Sequence, residues 1–137
     1  NDALKLWLAW RECGDAGWAS MVDRYMDLAG HLESQVLAHD DLQLMSSRMW
    51  TNVCFRFSPE DYDGDLNELN SEIRRRMMQN GNYMVSRSNI GDDVIFRAVI
   101  SNPKISEHSL DELLNELTLL YNDVIRGLPS EHGASSA

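Results

Sequence analysis

The sequence predicts an α+β fold: a small antiparallel sheet with helices packed on one face. Three observations carry this expectation. Long stretches with apolar residues at three- and four-residue spacing are interspersed with short stretches in which apolar and polar residues alternate one by one. The short stretches come in two neighbouring pairs, which favours hairpin-type antiparallel pairing. A chain of 137 residues that is 43% hydrophobic suits one domain, and such a domain buries roughly two-thirds of its unfolded surface.

The elements follow in order. Ala3 to Trp10 is apolar almost all round, interrupted only by Lys5. A helix apolar on every side needs cover on every side, and a domain this small does not supply it. Gly14 ends this helix and Asp15 is placed to cap the next. Trp18, Met21, Val22, Tyr25, Ala29, Leu32 and Val36 then form one stripe of a long amphipathic helix, with Asp23, Arg24, Asp27 and Glu33 on its solvated side. Leu42 and Leu44 mark a short strand. Asn52 to Phe57 is a clearer one, with Val53, Phe55 and Phe57 on one face, and Pro59 stops it. Asp65 and Glu68 form a capping box for a helix whose inner stripe is Leu66, Leu69, Ile73 and Met77, and Asn80-Gly81 closes it. Strands are expected at Tyr83–Arg87 and Val94–Ile100, joined by a loop containing Gly91. The last helix starts near Ser106 with the stripe Leu110, Leu113, Leu114, Leu117, Leu120, Tyr121 and Val124. From 127 to 137 the composition turns to Ser, Gly, Ala and Pro, which predicts a disordered tail.

Twenty-two acidic residues against twelve basic ones give a net charge of −10, which disfavours nucleic acid and anionic membrane as partners. No apolar run reaches the ~20 residues that span a bilayer, and no charged segment followed by an apolar one opens the chain. The first residue is not Met, which leads us to expect a cut or mature chain. Cys13 and Cys54 are too few for a disulfide framework and read as two reduced, buried thiols in a cytoplasmic protein.

One residue asks for a chemical partner. Arg97 lies mid-strand between Ile95 and Val99 on one face, with Val94, Phe96, Ala98 and Ile100 on the other. Both faces are apolar, so the strand is expected to be covered on both sides. A guanidinium there needs an anion, because an unpaired buried charge costs several kcal/mol. Either an internal carboxylate or a ligand carboxylate or phosphate meets that need. Other patterns carry less. Asp61, Asp63, Asp65 and Glu72 imitate a calcium loop, but Leu66 stands where the sharp turn wants Gly, so the segment reads as an acidic turn with a helix cap. Arg74-Arg75-Arg76 points three ways around a helix and reads as a solvated face. His31, His39, His108 and His132 lack metal-ligand spacing, so no metal is expected. Met77, Met78 and Met84 read as core filling.

Several segments then carry a resemblance. Asp2 to Arg11 (DALKLWLAWR), Gly14 and Gly17-Trp18 are similar to the helix that joins the large domain to the C-terminal small domain in the group II pyridoxal-phosphate-dependent amino-acid decarboxylases. Thr51 to Phe55 (TNVCF) resembles that domain's first core strands. Met84 to Ser86 (MVS), the Gly91 turn and Phe96 to Pro103 (FRAVISNP) resemble its end. The matches keep order from residue 2 to about residue 125 and look most like the glutamate and cysteine-sulfinate branch; the aspartate, diaminobutyrate and aromatic branches are also similar, and Ile95 stands where the glutamate branch carries an aromatic.

The resemblance implies the C-terminal small domain of fold-type I pyridoxal-phosphate enzymes over residues 1–126, with 1–14 as the linking helix. It implies an L-amino-acid α-decarboxylase acting on glutamate, aspartate or cysteine sulfinate. Pyridoxal 5'-phosphate would be bound by a large domain absent here, which supplies the cofactor lysine, and its ring would absorb the electrons left as carbon dioxide departs. Arg97 matches the family arginine that binds the substrate carboxylate. No catalytic or cofactor-binding residue is expected in this chain, which alone would be inactive. The implied partners are the large domain, a second subunit in a homodimer and a small amino-acid substrate. The competing reading is a non-enzymatic acidic interaction module that binds a partner through its apolar N-terminal helix.

Overall fold

The computed structural model describes residues 2–127. The element order is α1 (Asp2–Ala38), β1 (Leu42–Leu44), β2 (Asn52–Phe57), α2 (Leu66–Asn80), β3 (Ser86–Ile90), β4 (Asp93–Val99) and α3 (Glu107–Gly127). The four strands form one antiparallel sheet in the order β1-β2-β4-β3. The α+β expectation is met, with the three helices on one face.

Local chemistry explains the boundaries. α1 is two helices joined across a kink at Gly14, whose φ of 65° and ψ of 176° are open to glycine and little else. Trp10 and Trp18 stack across that kink at 5.3 Å, and the Trp10 indole N–H donates to Asp15 Oδ1 at 2.7 Å. The Asp65 carboxylate caps α2 by accepting from the Asn67 and Glu68 amides, and Gly81 ends it in the left-handed conformation. The Ser106 hydroxyl accepts from the Ser109 amide, three residues on, at the start of α3.

The core lies between the sheet and the helices. Val53, Phe55 and Phe57 of β2 and Phe96 of β4 point inward, and Phe57 stacks on Tyr121 of α3 at 4.7 Å. The stripes of α1 (Tyr25, Ala29, Leu32, Val36), α2 (Leu69, Ile73, Met77) and α3 (Leu110 to Val124) close over them. Leu28 joins the α1 stripe, and Val22 is left at its exposed margin.

Six expectations need correction or fall outside the described residues. β3 runs from Ser86 to Ile90 rather than from Tyr83 to Arg87, because Gly91-Asp92 is a two-residue hairpin that pairs Ile90 with Asp93. Its sequence, SRSNI, is too polar to show a strand pattern. β4 correspondingly runs from Asp93 to Val99. The outer face of β4 is not covered along its length: Ile95 is buried, but Arg97 and Val99 are exposed, because all the helices lie on the other side. Cys13 is exposed on the projecting first helix and Cys54 is half-buried, both as free thiols. Of the three methionines assigned to the core only Met77 is buried, since Met78 and Met84 lie outside the helix–sheet layer. The tail expected over 127–137 lies outside the described residues apart from Gly127, which ends α3.

Candidate functional site

The bare face of the sheet is where Arg97 stands. Strand register places Cys54 of β2 and Ser86 of β3 directly beside it. Facing side chains in adjacent antiparallel strands share a side, so these three form a row across the central strands.

Two arginines occupy this face and differ in their partners. Arg56 of β2 is largely buried and held by the protein itself: its guanidinium pairs with Asp93 at 2.8 Å, and its Nε donates to Gln43 Oε1 at 3.1 Å. Arg97 has neither a hydrogen bond nor an ion pair among the described residues. Of the two partners open to Arg97 in the sequence, an internal carboxylate is therefore supplied to Arg56 and not to Arg97. Arg97 is exposed to solvent on this face.

Asparagine side chains fix the position of this face. β2 and β4 pair from Asn52–Val99 to Phe55–Phe96. Two residues further, where Phe57 would meet Val94, α2 intervenes. Asn70 accepts from the Phe57 amide at 2.8 Å and donates to the Phe57 carbonyl at 2.9 Å and the Leu66 carbonyl at 2.8 Å. Asn67 accepts from the Val94 amide at 2.8 Å and donates to the Asp92 carbonyl at 3.0 Å. The two amides thus stand in for missing ladder bonds and lock α2 to both central strands. Sequence reasoning missed them. A signal existed: Asn70 follows Leu66 by four residues and precedes Ile73 by three, which puts a polar residue inside the apolar stripe.

The remaining candidates resolve into structural roles. Asp65 of the calcium-like segment is spent on the α2 cap, and Glu72 is held by Arg75 and Arg76 at 2.6 and 2.8 Å. Those two arginines, led by the Arg75 hydrogen bonds, lower the Glu72 carboxyl to about 2. His31 bonds Asp111 at 2.7 Å and His39 bonds Thr118 at 3.1 Å, so both tie α1 and the turn after it to α3. A cavity of about 500 Å³ beside α3 is lined by Asp40, Asp41, Glu60 and Asp61, a field that repels anions. Burial, assisted by Asp41, raises the Tyr121 hydroxyl there above the ordinary phenol range. Among the described residues no group of three or more His, Cys, Asp or Glu is placed to hold a metal, and no helix is long and apolar enough to cross a membrane.

The chain does not fit a pyridoxal cofactor by itself. Such a site needs an enclosed lysine. Lys5 projects from the first helix with its side chain 79% exposed and paired to Asp2 at 3.5 Å, and Lys104 lies in an exposed turn.

Comparison with known proteins agrees with the resemblance. The family model described as the pyridoxal-dependent decarboxylase conserved domain matches residues 1–58. Cysteine sulfinic acid decarboxylase of Mus musculus is 30% identical over 90% of this chain and 27% of its own length. Acidic amino acid decarboxylase GADL1 of Bos taurus is 29% identical over 90% of this chain and 26% of its own. The crystal structure of mouse CSAD in apo form superposes with a TM-score of 0.81 at 30% identity, over 89% of this chain and 28% of that one. Tryptophan decarboxylase of Catharanthus roseus, crystallised with L-tryptophan, shares the fold at a TM-score of 0.80 and 22% identity, over 88% of this chain and 26% of its own. The chain therefore spans about a quarter of the length of the relatives it matches. In sequence and in fold, it is similar over that span to the pyridoxal-dependent amino-acid decarboxylases.

Proposed function

We propose that residues 1–126 are the small domain of a pyridoxal-phosphate-dependent L-amino-acid α-decarboxylase that acts on an acidic amino acid (glutamate, aspartate or cysteine sulfinate), and that Arg97 binds the substrate carboxylate. The observation that carries this reading is an arginine on a central strand whose guanidinium faces away from the core with no partner among the described residues. A planar guanidinium fork donates two parallel N–H bonds to a carboxylate, which fixes orientation as well as charge. Covering the open face with another domain would expel water and strengthen that pair, since charges attract more in a lower dielectric. The guanidinium would then pay a desolvation cost that only an anion offsets, so the covered site selects for a carboxylate.

The first helix supports the same reading. Leu4, Leu6, Trp7, Leu8 and Trp10 are each about half exposed, a contiguous apolar surface on one short segment. It is the docking surface for the large domain, which carries the cofactor and its lysine, and for the second subunit of a homodimer in the cytoplasm. The present chain holds no cofactor and is inactive alone.

The test is carbon dioxide release by the full-length protein, loaded with cofactor, from glutamate, aspartate, cysteine sulfinate and an aromatic amino acid. The reading expects turnover of at least one acidic substrate and poor turnover of the aromatic one. Release from the aromatic alone overturns the substrate class, and release from none overturns the activity. The 137-residue chain mixed with pyridoxal phosphate should form no stoichiometric, borohydride-reducible adduct at a single lysine.

A further inference from the structure

On the helix-bearing side of the sheet, at its β3 edge, a groove of about 420 Å³ runs between α2 and β3, lined by Ser71, Arg74, Arg75, Met78, Gln79 and Arg87. Ser71, Arg74 and Met78 follow one another at helical spacing and form one ridge of α2. Arg87 faces that ridge from the edge strand, because it is paired with the inward-pointing Phe96 and so lies on the face that the helices cover.

The three arginines do not have equal freedom. Arg75 is taken, with both its Nε and a terminal nitrogen bonded to Glu72 at 2.7 and 2.6 Å. Arg74 and Arg87 have no ion-pair partner among the described residues, and Arg74 Nε is buried with no hydrogen bond. Of the three arginines that line this groove, only Arg75 is held by a carboxylate among the described residues. Carboxylates hold Arg48, Arg56, Arg75 and Arg76.

We propose that this groove is a binding site for a phosphate group, free or as a monoester, held between the guanidiniums of Arg74 and Arg87. Two forks supply more parallel N–H donors than one carboxylate can accept, and they match a dianion with three terminal oxygens. The Ser71 hydroxyl and the Gln79 amide add neutral donors at the rim, and Met78 gives an apolar wall for whatever the phosphate is attached to. The buried Arg74 Nε gains the partner that it otherwise lacks.

The test titrates the full chain with inorganic phosphate, glycerol 2-phosphate and acetate, following the phosphorus signal by NMR and the heat by calorimetry. The site predicts saturable binding of one phosphate group per chain, weakened at least tenfold in Arg87→Ala and in Arg74→Ala and unchanged in Arg126→Ala, which removes an exposed charge from α3. Arg87 is exposed on an edge strand, so its variant folds even if the Arg74 variant does not, and circular dichroism verifies this. Tighter binding of glycerol 2-phosphate identifies an ester as the occupant, and tighter binding of inorganic phosphate identifies the free anion. Lack of saturation, equal weakening in Arg126→Ala, or acetate binding as tightly as phosphate overturns the proposal. Displacement of phosphate by an acidic peptide at far lower concentration also overturns it, in favour of a protein partner.

Discussion

Replacing Asn70 with alanine removes the amide that completes the sheet where β2 and β4 separate. Asn70 is fully buried, and so is Phe57, whose N–H and C=O both end on it. Without that amide the two main-chain groups have no partner and no water. Each unsatisfied buried group costs about 1–3 kcal/mol, so the substitution destabilises by about 2–6 kcal/mol. That is a large part of the ~5–15 kcal/mol that holds a domain of this size together. Urea unfolding followed by circular dichroism measures it as a lower midpoint with an unchanged slope. Asn70→Leu separates hydrogen bonding from packing, because leucine fills the same space without polar atoms and should recover little of the loss. A loss below about 0.5 kcal/mol in the alanine variant, within the range of an ordinary surface substitution, refutes the reasoning. Full recovery by leucine refutes it as well.

Two other predictions concern the first helix and the basic run. Gly14→Ala places a β-carbon in open space but at a φ of 65°, so it strains the backbone by about 1–3 kcal/mol without a clash; the kink should relax and the stacked Trp10–Trp18 pair separate, read as a shift in tryptophan fluorescence, and an unchanged spectrum counts against the kink. Because Arg75 and Arg76 hold Glu72 down to about 2, well below its ordinary 4.5, its stabilising effect is present above pH 4.5 and is lost as pH falls from about 4.5 to about 2. The cluster is partly exposed and salt-screened, so the effect stays under about 1 kcal/mol. The stability difference between wild type and Glu72→Gln should shrink over that window and with added salt, and a difference independent of pH contradicts the assignment.

Much of this fold was legible because its signals are local. The Gly14 break, the Asp65 cap, the Gly81 stop and the alternation of Val53, Phe55 and Phe57 need only neighbouring residues to act. β3 was not legible: Ser86 to Ile90 takes its strand conformation from pairing with β4, and its own side chains carry almost no apolar pattern. The surroundings of Arg97 were legible only in part, since Arg97 itself is exposed. Apolar neighbours on both sides implied cover on both sides, whereas Val99 is 45% exposed. An apolar strand face signals burial in whatever assembly the chain forms, and a single chain's sequence does not say which part of that assembly lies elsewhere. The same applies to Leu4 through Trp10. Arg74 was read with its neighbours as one solvated run, and only the fold shows that Glu72 takes two of the three and leaves the first.

The central claim is that Arg97 meets the carboxylate of an acidic amino acid, and Arg97→Lys in the full-length, cofactor-loaded protein tests it most directly. Lysine keeps the charge but loses the two-pronged geometry. Disrupting a buried, hydrogen-bonded charge pair costs about 2–5 kcal/mol, so kcat/KM for the acidic substrate should fall by about 30- to 5,000-fold. The cofactor absorbance should be retained in full. Wild-type turnover in this variant contradicts the account, and so does loss of the cofactor together with the activity, which would make Arg97 a structural residue.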